Sequence, residues 1–447
     1  MKFIRELNFE FKAKNYFDFG NITFLIGVFF LPSALPIGAF FLLTSIVFSF
    51  FISKNNFLQN KWDLTFLLCL ILIICSTIYN ASINPSVSLL EFDKSIFWLN
   101  LFNWVPIYFA FIGFQVYLKS VKQKLLFQKV LIAGTVPVIF SCIIQKFFNI
   151  YGPFKTLYGS IIWFNYYHSA DQSSGLFSNP NYLGMWFTLC LPFALSAIKL
   201  EKSKIINFAI ICLINILIIY FSFATFSRNA LLGIVISLIF FIERKKLIFF
   251  SIFLFLSFIV FIYVLPNFLN IYQINFSDLY DANIFKKLSE LKFSLDNPRI
   301  KIWSNALNFI SMRPFQGWGA GSFPYIFHEN SYLEIPFSPE SITKYQHTHN
   351  LIIELSYNFG IPTAFLIVSK ILSIFLKSFK KIKNISRSLS SYLIYKPFIV
   401  SFFIFLLAHF TDITYYDGKI SILFALLLAG LKNIIDEEND LQKDNQV

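Results

Sequence analysis

The run GNITFLIGVFFLPSALPIGAFFLLTSIVFSFFI, from Gly20 to Ile52, decides the fold. A helix crossing a bilayer takes about 20 apolar residues. This run is too long for one crossing, and Pro32 and Pro36 sit near its middle. Proline removes a helical hydrogen bond, so the run reads as two spans joined by a tight turn at Pro32-Ser-Ala-Leu-Pro36. Taken as one span, it would put every later loop on the opposite side of the membrane.

Further apolar runs follow at roughly 62–80, 97–118, 125–147, 181–199, 205–224, 229–242, 247–266, 349–377, 393–411 and 419–433. The chain therefore reads as an all-α polytopic membrane protein of about twelve transmembrane helices. A composition that is 56% hydrophobic and 14% charged, with mean hydropathy +0.64, excludes a set of soluble domains. The net charge of +13 raises nucleic acid as a partner. The basic residues sit between spans and not on one amphipathic face, so topology explains the charge and no nucleic acid is expected.

Loop charge supports the two-span reading. With the N-terminus in the cytoplasm, the clusters Lys54/Lys61, Lys119/Lys122/Lys124, Lys199/Lys202/Lys204, Arg244/Lys245/Lys246 and Lys377 to Lys396 all fall inside. The short outer loops hold few basic residues, such as Lys94 and Lys419. This bias gives an even number of crossings with both ends inside. Residues 1–19 form a basic, aromatic cytoplasmic segment, 20–433 a single membrane domain and 434–447 a polar, disordered cytoplasmic tail. The first apolar run has no small-residue cleavage site and reads as an anchor. The five cysteines lie inside apolar runs without metal or disulfide spacing and read as packing residues.

Two outer loops are long. Residues 148–180 are polar and end in Gly175-Leu-Phe-Ser-Asn-Pro-Asn181. Residues 267–348, between the ninth and tenth spans, number roughly 80, too many for a simple turn. Ile284, Leu288, Leu291 and Leu295 recur at helical spacing there, and a second helix is expected from Arg299 to just before Pro314. Gly317-Trp-Gly-Ala-Gly-Ser-Phe323 reads as a turn, or as backbone N–H groups brought near a phosphate.

No acidic residue falls mid-span, which argues against an ion-driven pump. The polar groups with chemical potential collect at the outer face. The loop from Tyr345 delivers His347 and His349 to the start of an apolar helix. A neutral imidazole at His349 can take a proton from a hydroxyl, or it can simply hydrogen-bond beside a helix cap. His347, Asn350 and Glu354 are placed to support it. Arg228 opposes the positive-inside bias at the outer end of its span, and its planar fork suits a diphosphate as well as lipid head groups. Arg299, Lys301 and Arg313 are further phosphate candidates on the long loop. His409 and Asp412 bracket the last outer turn. Trp163, Tyr166, Tyr167, Trp318 and Tyr325 suit sugar stacking or a membrane interface.

The ordered set resembles the bacterial O-antigen ligase/O-antigen polymerase superfamily of membrane glycosyltransferases. The residues carrying the resemblance are His349-Asn350 followed after nine residues by Gly360, Arg228 followed by Leu232, Gly175 to Asn181, and the series Arg299, Trp303, Pro314, Gly317-Trp-Gly319. It covers roughly residues 165–430. Where ligases often carry a second glycine three residues after the first, this chain has Thr363. The resemblance implies periplasmic transfer of a glycan from an undecaprenyl-diphosphate carrier in the bacterial inner membrane. The acceptor would be a lipid A core sugar or a second carrier-linked glycan. It further implies His349 as base and Arg228 and Arg299 on the diphosphate, with His347, Asn350, Glu354, Asn181 and Arg313 in support. No phosphate-binding loop, dinucleotide fingerprint or metal cluster is apparent, so transfer without metal or cofactor is expected. A flippase for lipid-linked glycans and a non-catalytic polysaccharide-assembly protein are the competing readings.

Overall fold

A computed structural model describes residues 2–52, 60–83, 93–168, 172–201, 205–242, 298–330, 346–385 and 390–444. The opening run is two helices. α1 (Lys2–Phe30) and α2 (Leu35–Ile52) flank a turn at 31–34, and Pro36 falls in the first turn of α2, where its missing N–H costs nothing. They pair antiparallel: the rings of Phe19 and Phe48 are 4.9 Å apart, and those of Tyr16 and Phe51 are 5.7 Å apart.

The later helices follow the apolar runs closely. They are α3 (Lys61–Ser82), α4 (Ser95–Asn100) with α5 (Val105–Phe114), α6 (Val121–Phe148), α7 (Pro180–Leu200), α8 (Ile205–Ala224) and the short α9 (Arg228–Phe241). Among the described residues, nine helical stretches are long and apolar enough to cross a membrane. The protein is an all-α, multi-pass membrane protein. The expected span at 247–266, the amphipathic stretch 284–295 and most of the loop 267–348 lie outside the described residues.

The loop helices α10 (Pro298–Met312) and α11 (Phe323–Asn330) are described, the first where the periodicity places it. They form a small core of their own on α12 (Leu351–Phe359), built from Ile302, Phe309, Trp318, Phe323, Phe327 and Tyr357. The indole N–H of Trp318 donates to the Phe309 carbonyl at 2.7 Å. The chain then closes with α13 (Ile361–Asn384), α14 (Ser390–Ala408) and α15 (Gly418–Asp444).

Three boundaries differ from the sequence reading. The span expected at 349–377 is divided at Gly360, with φ +85° and ψ 159°. A side chain there would meet the Phe315 carbonyl oxygen at 2.0 Å, so only glycine fits this break. Pro362 then opens α13. Residues 2–19 of the expected cytoplasmic segment are helical and continuous with the first span, having no breaker before Gly20. Residues 434–444 of the tail expected to be disordered are the end of α15. Lys432 pairs with Asp436 one turn on at 2.9 Å, and buried Lys124 pairs with Glu437 at 3.1 Å. Asn433 and Lys381 add bonds to the Gln115 and Ile435 carbonyls. These contacts hold the last turns of the helix against the bundle.

α15, α7 and α14 form the centre of the bundle, with 83%, 72% and 61% of their span residues buried, while α8 and α2 face outward at 22% and 28%. Pro397 inside α14 frees the Leu393 carbonyl, and Ser196 of α7 fills it with a 2.5 Å hydrogen bond. Among the described residues, Lys124, Lys199, Lys377 and Lys381 gather at one end, where they meet Glu437, the Phe241 carbonyl, the Trp62 ring and the Ile435 carbonyl. The turns 225–227 and 409–417, the start of α7 and the start of α12 gather at the other.

Candidate active site

Asn350 starts α12. Its backbone is extended, and its Oδ1 accepts from the N–H groups of Ile352 and Ile353 at 3.0 and 3.2 Å. This is an ordinary N-cap. The cap is also tied to the last turn: Asn350 Nδ2 donates to the Phe410 carbonyl at 3.0 Å and Leu351 N–H to that of His409 at 2.9 Å. The result places His349 directly against Asp412, with His349 Nδ1 3.0 Å from Asp412 Oδ1.

His349 adopts φ +55°, an unfavourable conformation for a side chain of this size. Its neighbours hold it there. Its N–H donates to His347 Nδ1 at 3.3 Å, and the two rings lie 4.3 Å apart. The preceding Thr348 is clamped on three sides. Its N–H donates to Glu354 Oε2 (2.9 Å), its carbonyl accepts from the Trp303 indole (2.8 Å) and its hydroxyl donates to the Asn350 carbonyl (3.0 Å). Glu354 is buried behind the loop and also accepts from the Tyr416 hydroxyl at 2.5 Å and Asn358 at 3.2 Å. The ring of Tyr416 stacks on His347. Glu354 thus supports the histidine loop from behind and does not enter the cavity.

The cavity in front has a volume of about 190 Å³. Asn179, Asn181 and Tyr182 line it from the start of α7, Arg299 from α10, Gln346, His347 and His349 from the loop, and Asp412 and Ile413 from the last turn. Arg299 donates to the Thr411 carbonyl. Thr411 in turn donates to Asn229 Oδ1 at 3.1 Å, and Asn229 follows Arg228 at the start of α9. Arg228 is exposed and close enough for its charge to act on Arg299.

The electrostatics set the protonation pattern. Burial pushes the Asp412 carboxyl up, but the hydrogen bond and charge of His349, with Arg299 and His347, outweigh it and hold the group below its usual range. An ionised carboxylate only accepts, so in its neutral form His349 carries its proton on Nδ1 and presents a lone pair at Nε2. Burial first, then the charges of His349 and Arg299, push His347 down to about 3 against the pull of Asp412. Neutral His347 accepts at Nδ1 and therefore carries its proton on Nε2. Burial and Arg228 both work against the Arg299 charge while Asp412 favours it, and a guanidinium remains cationic under such conditions.

His409 takes no part. It is buried, stacks on Phe405 with centroids 3.8 Å apart, and bonds the Phe405 carbonyl and Thr414. Burial pushes it down to about 4. Unfolded histidine titrates near about 6.5, so unfolding below that pH takes up protons that native His347 and His409 refuse. Native stability from these groups is complete above about pH 6.5 and falls as the pH drops toward their folded values. The unfolding midpoint in detergent is expected to fall between pH 7 and pH 4.5, and His347→Gln to flatten part of that slope; an unchanged slope would contradict the assignment.

Of the residues singled out in the sequence, His347, His349, Arg299 and Asn181 meet at the cavity, with Arg228 beside it. Asn350 caps and Glu354 braces. Arg313 lies elsewhere, its guanidinium 4.1 Å above the Trp318 ring. The glycine run is a packing seam: Trp318 and Gly319 donate their N–H groups to the carbonyls of Tyr357 and Asn358, and not to a cavity. In the sequence Asp412 stands only as half of an ambiguous pair and Asn179 only as a member of the Gly175–Asn181 motif, while Tyr182 and Gln346 are given no role. What links them to His349 is their place at one end of the bundle, where the starts of α7 and α12 meet the turn 409–417.

Fold and site together define a multi-pass membrane protein with a polar, histidine-bearing cavity at one end of its helix bundle. Residues 213–368 match the family model described as O-Antigen ligase, which supports membership of the O-antigen ligase/polymerase superfamily. The matched segment holds Arg228, Arg299, His347, His349 and Gly360, while Asp412 and the start of α7 lie outside it. No curated protein matches the chain.

Proposed function

We propose that this protein transfers a glycan from an undecaprenyl-diphosphate carrier to an acceptor sugar hydroxyl, at the periplasmic face of a bacterial inner membrane, with both termini cytoplasmic. The observation that carries the reading is the His349–Asp412 pair, facing a cavity shared with Arg299, inside a chain that matches O-Antigen ligase. The acceptor is lipid A core in a ligase and a second carrier-linked glycan in a polymerase.

In the reaction the acceptor oxygen attacks the anomeric carbon of the donor and its proton passes to His349 Nε2. The bond from that carbon to the diphosphate oxygen breaks, and undecaprenyl diphosphate leaves. Arg299 and Arg228 bind the charge that grows on the leaving oxygens. Asp412 stabilises the imidazolium formed at His349, much as a carboxylate does behind other catalytic histidines. The side-chain amides of Asn179 and Asn181, which line the cavity, bind sugar hydroxyls in this reading.

The test is purified protein in nanodiscs with lipid-linked glycan and an acceptor. The expected result is one undecaprenyl diphosphate released per glycan transferred. Transport or assembly without chemistry would release none and would sink the reading. Arg299→Ala is expected to slow transfer by about 10²–10³-fold, as for loss of one group aimed at developing negative charge. Arg299→Lys should recover little, because an ammonium cannot reproduce the planar fork. Full activity in Arg299→Ala would remove the arginine from the mechanism.

A further inference from the structure

The segment between α6 and α7 displays large apolar side chains that the cavity does not use. It holds a two-stranded antiparallel hairpin, β1 (Phe154–Thr156) and β2 (Ile161–Trp163), with Phe154 opposite Trp163 and Lys155 opposite Ile162. At its tip, Leu157, Tyr158 and Gly159 have φ of +49°, +54° and +86°. Gly159 N–H donates to the Thr156 carbonyl and Ser160 N–H to that of Leu157, both at 3.1 Å. A turn of this hand favours Asn-Gly, and leucine and tyrosine are poor residues for it. The sequence nevertheless puts them there, with Leu157 63% exposed and Tyr158 fully exposed. Backbone held against local preference marks side chains with a use elsewhere.

The surroundings indicate what that use is. Val136, Phe140 and Phe147 are spaced along one face of α6, and all three are exposed. In a span this face meets lipid. Phe148 and Ile150 carry exposed apolar surface past the end of α6, and Phe154, Leu157, Tyr158 and Trp163 continue it along the hairpin. A glycan platform sets hydrogen-bonding groups around its aromatic rings, whereas Ile150, Leu157 and Ile162 offer none. Tyrosine and tryptophan beside an exposed lysine, here Lys155, are the composition of the zone between head groups and acyl chains.

We propose that this hairpin is an interfacial anchor, lying in the bilayer leaflet at the same end of the bundle as the cavity, with Leu157, Tyr158 and Trp163 in the zone between head groups and acyl chains. The inference does not depend on the reaction. The anchor leads into α7, whose first residues line the cavity, and so sets that end of the bundle at the depth where a lipid-borne molecule arrives.

The experiment is fluorine NMR of the full chain labelled with 6-fluorotryptophan, in nanodiscs of phosphatidylethanolamine and phosphatidylglycerol. The Trp163 resonance is assigned as the one missing from Trp163→Phe. Lipid bearing a nitroxide high on its acyl chain is expected to broaden that resonance beyond detection and to affect buried Trp318 less. A water-soluble gadolinium chelate is expected to leave it sharp. Broadening by the chelate would place the hairpin in water and overturn the proposal, and protection from the chelate by added glycan would make it a sugar platform. Broadening by neither probe would place it against protein and would equally overturn it.

Discussion

Protein carrying His349→Ala is expected to fold and insert normally and to transfer glycan about 10²–10⁴-fold more slowly, the usual contribution of a positioned general base. Among the described residues lining the cavity, His349 is the imidazole whose Nδ1 is fixed by a carboxylate, which leaves Nε2 to accept a proton. Alanine also changes the backbone requirement, because position 349 has φ +55°. His349→Asn separates the two effects, since asparagine tolerates left-handed backbone far better than most residues. Both variants should be equally slow if the base is what matters. If asparagine restored transfer, His349 would be a loop-shaping residue and nothing more. Single-turnover rates with carrier-linked glycan, set beside thermal unfolding of the same preparations, decide between these outcomes.

The second large effect is expected from Asp412→Asn, at about 10²–10⁴-fold in rate with little change in donor affinity. An amide preserves shape but removes the charge that holds His349 in its Nδ1–H tautomer and stabilises the imidazolium. The carboxylate also accepts from Ile413 N–H at 3.0 Å, so the last turn is pre-shaped to aim it. Residues acting as a unit are not additive, so the double variant with His349→Ala should be scarcely slower than either single one. Independent, multiplying losses would show that Asp412 acts on something other than the histidine.

Asp412 also shows where reading the chain alone stops. His349 was legible because a histidine at the mouth of an apolar helix is unusual, and Arg228 because it defies the charge bias of its side. Asp412 looked like an ordinary acid in an outer turn. Only the bonds from Asn350 to Phe410 and from Leu351 to His409 bring it to the imidazole, and these join positions some 60 residues apart in sequence. The spans were legible because each needs its own apolar run, and Pro32 with Pro36 mark the turn between the first two helices. Which spans sit at the centre was not, since α15 and the outward α8 are both apolar and differ in their neighbours. The break at Gly360 was missed because hydropathy runs unchanged through it, while its cause is the Phe315 carbonyl pressing on the backbone from another segment. The hairpin was missed for the opposite reason: its turn carries Leu157 and Tyr158 where the local rule looks for Asn-Gly.

The most direct test of glycan transfer is the surface-glycan gel profile of a strain lacking this protein, complemented with wild type or with His349→Ala. The account predicts that wild type restores the long-glycan ladder and His349→Ala does not. A deletion that leaves single repeats on lipid A core would identify a polymerase, and one that leaves bare core with long glycan held on the carrier would identify a ligase. A ladder restored equally by His349→Ala, expressed at the wild-type level, would contradict the assignment of His349 as the base on which the mechanism rests.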